Sequence, residues 1–306
     1  LTARAADRHE AAALMKRAAT ASVAVAAILI LAKVAAWIMT DSVAVLSSLL
    51  DSLLDAAASA INLVAVRHAL TPADEEHRFG HGKAEPLAGL AQSAFICGSG
   101  LILLMEAVHR VGAPQPVQRP EIGIAVAVLS ILLSAALVFY QRRVVARTGS
   151  VAIAADSLHY GGDALLNLAV IASIVATGFL DAPLIDPLSG ALIALWILWG
   201  AIGIARQSFD LLMDRELPAG DRGRILAIAR ARPEVLDVHD LRTRSAGTHI
   251  FVQMHIELDP DMRLARAHQI ADGVEADIRA AFPHAEIIIH QDPAGELEPH
   301  RAAAAP

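Results

Sequence analysis

Cysteine is almost missing from this chain of 306 residues: Cys97 stands alone. One thiol excludes an internal disulfide and a thiolate metal cluster, and it removes the usual basis for redox chemistry. Aromatic residues are scarce at 4%, which argues against a membrane barrel with its aromatic girdles. Charge is sparse as well, at 19%, and there is no basic surplus: 25 Lys and Arg face 32 Asp and Glu, for a net charge of −7. A surface of that sign does not suit nucleic acid. What the chain has instead is aliphatic: 55% of it is hydrophobic and the mean hydropathy is +0.50, too oily for a water-soluble domain of this length. Thirteen histidines accompany the carboxylate surplus, a stock of nitrogen and oxygen donors suited to divalent cations.

The apolar excess falls into runs of about 20 residues, the length that spans hydrocarbon. They lie near Thr20 to Met39, Val43 to Val66, Leu87 to His109, Ile122 to Tyr140, Val151 to Leu180 and Leu184 to Ala205, six candidate transmembrane helices. The first is too long for a cleaved signal and lacks a small-residue cleavage pattern; the start at Leu1 rather than Met leads us to expect missing N-terminal residues. Beyond Glu216-Leu217-Pro218 the texture becomes that of a soluble domain. The expected division is a six-helix membrane domain over 1–212, a soluble domain over 213–293 and a disordered tail over 294–306.

Lysine and arginine concentrate before the first span (Arg4, Arg8, Lys16, Arg17), in the second connection (Arg67, Arg78, Lys83) and in the fourth (Arg142, Arg143, Arg147). The positive-inside rule then places both termini and the soluble domain of this multi-pass protein in the cytoplasm.

A carboxylate within hydrocarbon is expensive and marks function by default. The second span holds Asp51 and Asp55, and the fifth holds His159 and Asp163. Each pair is spaced i, i+4, so each shares one helical face about one turn apart. Four oxygen and nitrogen donors on two facing helices match tetrahedral zinc. Inter-helix hydrogen bonding is the alternative reading of any one of these residues; two such pairs favour a metal. Asp156 and Asn167 share the face of His159 and Asp163, to support the ligands or line a water cavity. Lys33 in the first span either snorkels or pairs with a carboxylate. Between the second and third spans, Asp74, His77 and His81 follow a D-x2-H-x3-H spacing, with Pro72 ending the helix and Gly80 and Gly82 permitting a tight turn. They read as a loop metal site or as a solvated polar loop. The soluble segment reads as helix, strand, strand, helix, strand, with His255 and Glu257 on one strand face.

Asp51-Ser-Leu-Leu-Asp55, the stretch from Pro72 to Lys83, Ala155-Asp-Ser-Leu-His159-Tyr-Gly-Gly-Asp163, His239-Asp-Leu-Arg-Thr-Arg244 and Ile289-His-Gln-Asp-Pro293 together resemble the cation diffusion facilitator family, in particular its bacterial zinc and ferrous-iron efflux members. The resemblance implies a homodimer of six-helix protomers, each with a cytoplasmic α+β domain of ferredoxin-like, metallochaperone-like fold. It implies a transport site of Asp51, Asp55, His159 and Asp163, a loop site of Asp74, His77 and His81, and a binuclear cytoplasmic site of His239, His255, His290 and Asp292, with His268 and Gln291 as further ligands. It also pairs Lys83 with Asp214 as a charge interlock.

The expected activity is export of Zn2+, with Cd2+ or Fe2+ as further ions, in exchange for protons by alternating access. The partners are a second copy, divalent ions, protons and the bilayer; Zn2+ also occupies regulatory cytoplasmic sites. Cobalt and nickel remain open as ions. Two readings from other classes are a membrane metal sensor that transports nothing and an intramembrane metallohydrolase. The second would need an open coordination position and a water-activating base, and the sequence carries no HExxH pattern.

Overall fold

Six long helices precede a small mixed domain in the computed structural model, which describes residues 8–40, 43–112, 120–180, 185–247 and 249–295. The helices are α1 (Arg8–Thr40), α2 (Val43–Ala69), α3 (Ala84–Gly112), α4 (Pro120–Thr148), α5 (Val151–Leu180) and α6 (Ile185–Leu212). Five of them are long and apolar enough to cross a membrane over residues 9–40, 48–69, 84–109, 124–148 and 187–212. The sixth, α5, has 30 residues, about 45 Å of helix. The fold divides into two units, Leu1–Leu212 and Met213–Pro306. Arg4, the first and fifth connections in part, and the tail beyond residue 295 lie outside the described residues.

Several helices outrun the apolar runs. α1 begins at Arg8 rather than near Thr20, because Ala11, Met15, Ala18 and Ala19 give its polar extension a buried stripe. That stripe packs against Val66 of α2, Val144 of α4 and Ile153 of α5. Arg142, Arg143 and Arg147, read as a connection, are instead the last turns of α4. No breaker occurs until Gly149, whose φ of 68° ends the helix, and cations favour a helix C-terminus. Arg143 also lies over the Phe139 ring at 4.0 Å. At the start of α5, the buried Glu85 carboxylate of α3 accepts bonds from the Ser150 hydroxyl and the backbone N–H groups of Val151 and Ala152. It satisfies donors that a helix start otherwise leaves orphaned. α5 and α6 approach closely: a Cβ on Gly162 would come within 2.7 Å of Ile197, and one on Gly200 within 2.9 Å of Leu158.

The second unit runs α7 (Ala219–Arg230), β1 (Asp237–Ala246), β2 (His249–Leu258), α8 (Leu264–Ala281) and β3 (Ala285–Pro293). This is the α+β order read from the sequence, with three strands arranged β1-β2-β3. β1 and β2 are antiparallel, and β2 and β3 are parallel, joined through α8. Val252, Met254, Ile256 and Leu258 alternate into a core closed by Ile225, Ile270, Val274 and Ile278 of the two helices. His255 and Glu257 therefore fall on the opposite face of the sheet.

Candidate metal centre

α2 and α5 bring an acid–imidazole cluster together inside the helical unit. His159 Nε2 lies 3.0 Å from Asp55 Oδ1 and 3.7 Å from Asp163 Oδ2, and the ligand atoms of all three lie within 4.8 Å of one another. His159 is only 8% exposed, and its buried Nε2 makes no aligned hydrogen bond, so its donor is aimed into the cluster without being consumed. Phe95 and Tyr160 meet the imidazole edge-on at ring separations of 6.2 and 5.5 Å. Two cavities flank the cluster. One of about 390 Å³ is lined by Lys33, Asp51, Asp55, Asp163 and Asn167, and the other, of about 580 Å³, by Asp51, Asp55, Phe95, Glu106, His159 and Asp163. Asp51 thus borders both cavities with the others, although it stands outside the tight triad.

One turn before His159, Asp156 is wholly buried and acts as a junction. It accepts a hydrogen bond from the Ser22 hydroxyl of α1, another from Ser59 of α2 at 3.4 Å, one from Gln92 of α3 at 3.2 Å and one from Gln141 of α4 at 2.6 Å. Tyr160, beside His159, donates to the Ser22 carbonyl at 3.1 Å. The α5 turn carrying the imidazole is thereby pinned to four other helices. Asn167, on the same face, donates to the Asp163 carbonyl at 2.8 Å. Ser22, Ser59, Gln92, Gln141 and Glu106 escaped the sequence reading; their one signal was polarity inside apolar runs.

On the loop between α2 and α3, Asp74 Oδ1 accepts from the backbone N–H groups of Glu76 at 3.0 Å and His77 at 2.6 Å. His77 Nδ1 lies 3.2 Å from Oδ1, and His81 Nε2 lies 3.3 Å from Oδ2. The N–H of His77, with help from the two imidazoles, holds the Asp74 carboxyl below the usual aspartate range. Gly80, at φ 75°, makes the turn that returns His81 to Asp74. His68, at the end of α2, adds a ring 4.5 Å from that of His81, a neighbour the loop spacing did not reveal. Lys83 Nζ donates to the Leu212 carbonyl at 3.2 Å. Asp214, in the second unit, pairs with Arg244 at 3.3 Å.

In the small domain, strand pairing builds a two-row grid on the face away from the helices. His239 opposes His255 and Asp237 opposes Glu257 across β1 and β2; His255 opposes His290 and Glu257 opposes Asp292 across β2 and β3. One row is three imidazoles and the next is three carboxylates. Asp292, 4% exposed, draws them in: its carboxylate lies 2.8 Å from His255 Nδ1, 3.1 Å from His290 Nε2 and 3.4 Å from His239 Nε2. Both ring nitrogens of His239 are buried without a hydrogen-bond partner, although Nδ1 is 3.6 Å from Glu257. Borderline nitrogen donors beside carboxylates, left unsatisfied, fit a bound divalent metal ion. A bulge between His239 and Arg242, with Asp240 at φ 47°, turns the end of this row. Two expected ligands are not drawn in among the described residues. His268, on α8, is 68% exposed and lies 3.5 Å from Asp272. Gln291 falls on the other strand face, donating to the Ile289 carbonyl at 3.3 Å. Glu257 was legible from the sequence on the face of His255, whereas Asp237 entered the grid through register, which sequence alone does not supply.

Residues 19–213 match the family described as "Cation efflux transmembrane domain", and residues 217–294 match "Cation efflux protein, cytoplasmic domain". The chain is 47% identical over 287 residues to the cation-efflux pump FieF of Shewanella oneidensis, covering 93% of this chain and 96% of that one. It is 44% identical over 285 residues to the pump of the same name from Cronobacter sakazakii, covering 93% and 95%. Among solved structures, the metal-bound C-terminal domain of the CzcD transporter from Thermotoga maritima is 29% identical, covers 26% of this chain and 93% of that one, and superposes with a TM-score of 0.25.

Proposed function

The chain belongs to the cation diffusion facilitator, or cation efflux, family and is a divalent-cation efflux transporter; from that premise we propose that it exports Zn2+, and also Cd2+ or Fe2+, in exchange for protons. The observation that carries this reading is the juxtaposition of Asp55, His159 and Asp163 between two cavities that Asp51 also lines. Three carboxylates and one imidazole suit zinc and ferrous iron, whereas magnesium and calcium favour shells of oxygen alone. Each ligand must lose its proton to bind the ion, so proton and metal compete for one site. Exchange follows when that site faces the two sides in turn: metal displaces protons on the cytoplasmic side, and protons displace metal outside.

The protein works in this reading as a homodimer in the inner membrane, with both termini cytoplasmic. The loop residues Asp74, His77 and His81 collect cytoplasmic ions. His239, His255, His290 and Asp292 hold regulatory Zn2+, whose charge draws the acidic and imidazole rows together; His268 and Gln291 would join only after rearrangement or from a second copy.

Competitive metal flux into proteoliposomes under an imposed pH gradient tests the assignment. Zinc uptake should drive counterflow of protons, and both should fall at least about a hundredfold in Asp51→Ala and Asp163→Ala. His159→Asp should keep flux but shift preference from zinc toward manganese, a harder ion. Zinc flux without proton movement would refute antiport; binding without flux would make the protein a sensor.

A further inference from the structure

Lys33 is an ammonium group within the first membrane-crossing helix that the transport chemistry above leaves without a task. It is not a snorkelling residue. Its Nζ donates to the Ser48 carbonyl at 3.1 Å and to the Ser52 hydroxyl at 2.6 Å, both on α2. Those serines flank Asp51 within one helical turn, and Ser52 precedes Asp55 by three residues, so the bonds tether the charge alongside the ligand-bearing face of α2. Lys33 lines the same cavity as Asp51, Asp55, Glu106 and Asp163. Yet both of its hydrogen bonds go to serine oxygens rather than to a carboxylate.

We propose that Lys33 is a tethered counter-charge for the transport site, a positioning residue that keeps the affinity for the divalent ion low enough for release. The proposal rests on the assignment of Asp51, Asp55, His159 and Asp163 as that site. A cluster of carboxylates inside hydrocarbon needs compensation when no metal is bound, and a fixed ammonium in the same cavity supplies it. The same charge repels a divalent ion once it binds, through a medium of lower dielectric than water. Because the serines hold the ammonium, it does not fill the metal position. It lowers the depth of the well without blocking it, which separates its effect from that of a competing ligand.

Zinc titration calorimetry on the full-length protein, paired with zinc flux in proteoliposomes, tests this. The tetrad's share of the isotherm is the part that Asp51→Ala removes. Lys33→Gln keeps a hydrogen-bond donor and loses the charge; Lys33→Met loses both; Lys33→Arg keeps the charge. Both neutral variants should bind zinc at the tetrad about tenfold more tightly, with KM lowered to match and a maximal rate several-fold lower. Lys33→Arg should return affinity and rate toward those of the parent. If Lys33→Gln behaves as the parent while Lys33→Met loses flux without a gain in affinity, Lys33 is a hydrogen-bonded strut and the proposal is overturned. Parent-like affinity in both neutral variants overturns it equally. If Asp51→Ala leaves binding and flux intact, the site assignment has failed instead, whatever the Lys33 variants do.

Discussion

Asp74 shows how a single side chain prepares a loop for an ion. Its carboxylate already accepts the N–H groups of Glu76 and His77, so the turn is organised around the charged form. Because the folded carboxyl lies below its ordinary range, the ionised form contributes order that is present above the unfolded value and is lost as pH falls through the lower folded value. The protection factor of the His77 amide, taken against its intrinsic exchange rate at each pH, should therefore hold as pH drops past about 4, the ordinary aspartate value, and fall only below it. Protection already lost at pH 5 would show that the loop is organised by something other than this carboxylate. The same residue marks the limit of what spacing reveals. D-x2-H-x3-H brought Asp74, His77 and His81 into one reading, because the contacts are local in sequence. His68 joins them from the preceding helix end, where only the three-dimensional return of the loop brings two rings to 4.5 Å.

At the level of elements, the membrane unit is organised around α5, and Asp156 is where that organisation is concentrated. Four donors from four helices converge on one buried carboxylate; removing it strands the Gln92 amide and leaves Ser22, Ser59 and Gln141 with only their second partners, the Ala18 carbonyl, the Tyr160 hydroxyl and the Ser22 hydroxyl, in a medium without water. Asp156→Leu should destabilise the helical unit by more than about 3 kcal/mol, and Asp156→Asn by less, since an amide oxygen still accepts. In detergent this should read as a fall in Tm of roughly 10 °C for the leucine variant; a Tm within experimental error of the parent would refute the junction. Legibility divides along the same line. Helix existence was plain from apolar runs, and the i, i+4 pairs placed Asp51, Asp55, His159 and Asp163 on shared faces. Helix ends were not, because Ala11, Met15 and the arginines of α4 continue helices by packing and dipole effects that hydropathy does not register. The Asp156 junction was half-visible: its face could be read, but its partners on α1 to α4 depend on helix packing.

For the whole molecule, two units of different solvent preference carry metal-ligating groups of similar chemistry, and their responses to metal are separable. Zinc bound by the grid of the small domain should stabilise its folded form, by about 2.7 kcal/mol at a free concentration one hundred times the Kd. Chelation should lower the unfolding temperature of that domain in the full-length protein, and His255→Ala should abolish the difference while zinc flux continues at a reduced rate. A chelator-sensitive Tm in His255→Ala equal to that of the parent would remove the grid as the site responsible.

The grid exists only in one alignment of three strands, two of them parallel and joined through a helix, a kind of pairing that is intrinsically slow to form. Slipping β3 by a single residue would turn His290 and Asp292 to the hydrophobic side and bring Gln291 to theirs. Misaligned chains would then lose His290 and Asp292 from the set and keep only His239, His255, Asp237 and Glu257 of β1 and β2. Metal capture by this domain would thus serve as a proofreader of chain threading, rewarding the one strand alignment that leaves Asp292 beneath His239, His255 and His290.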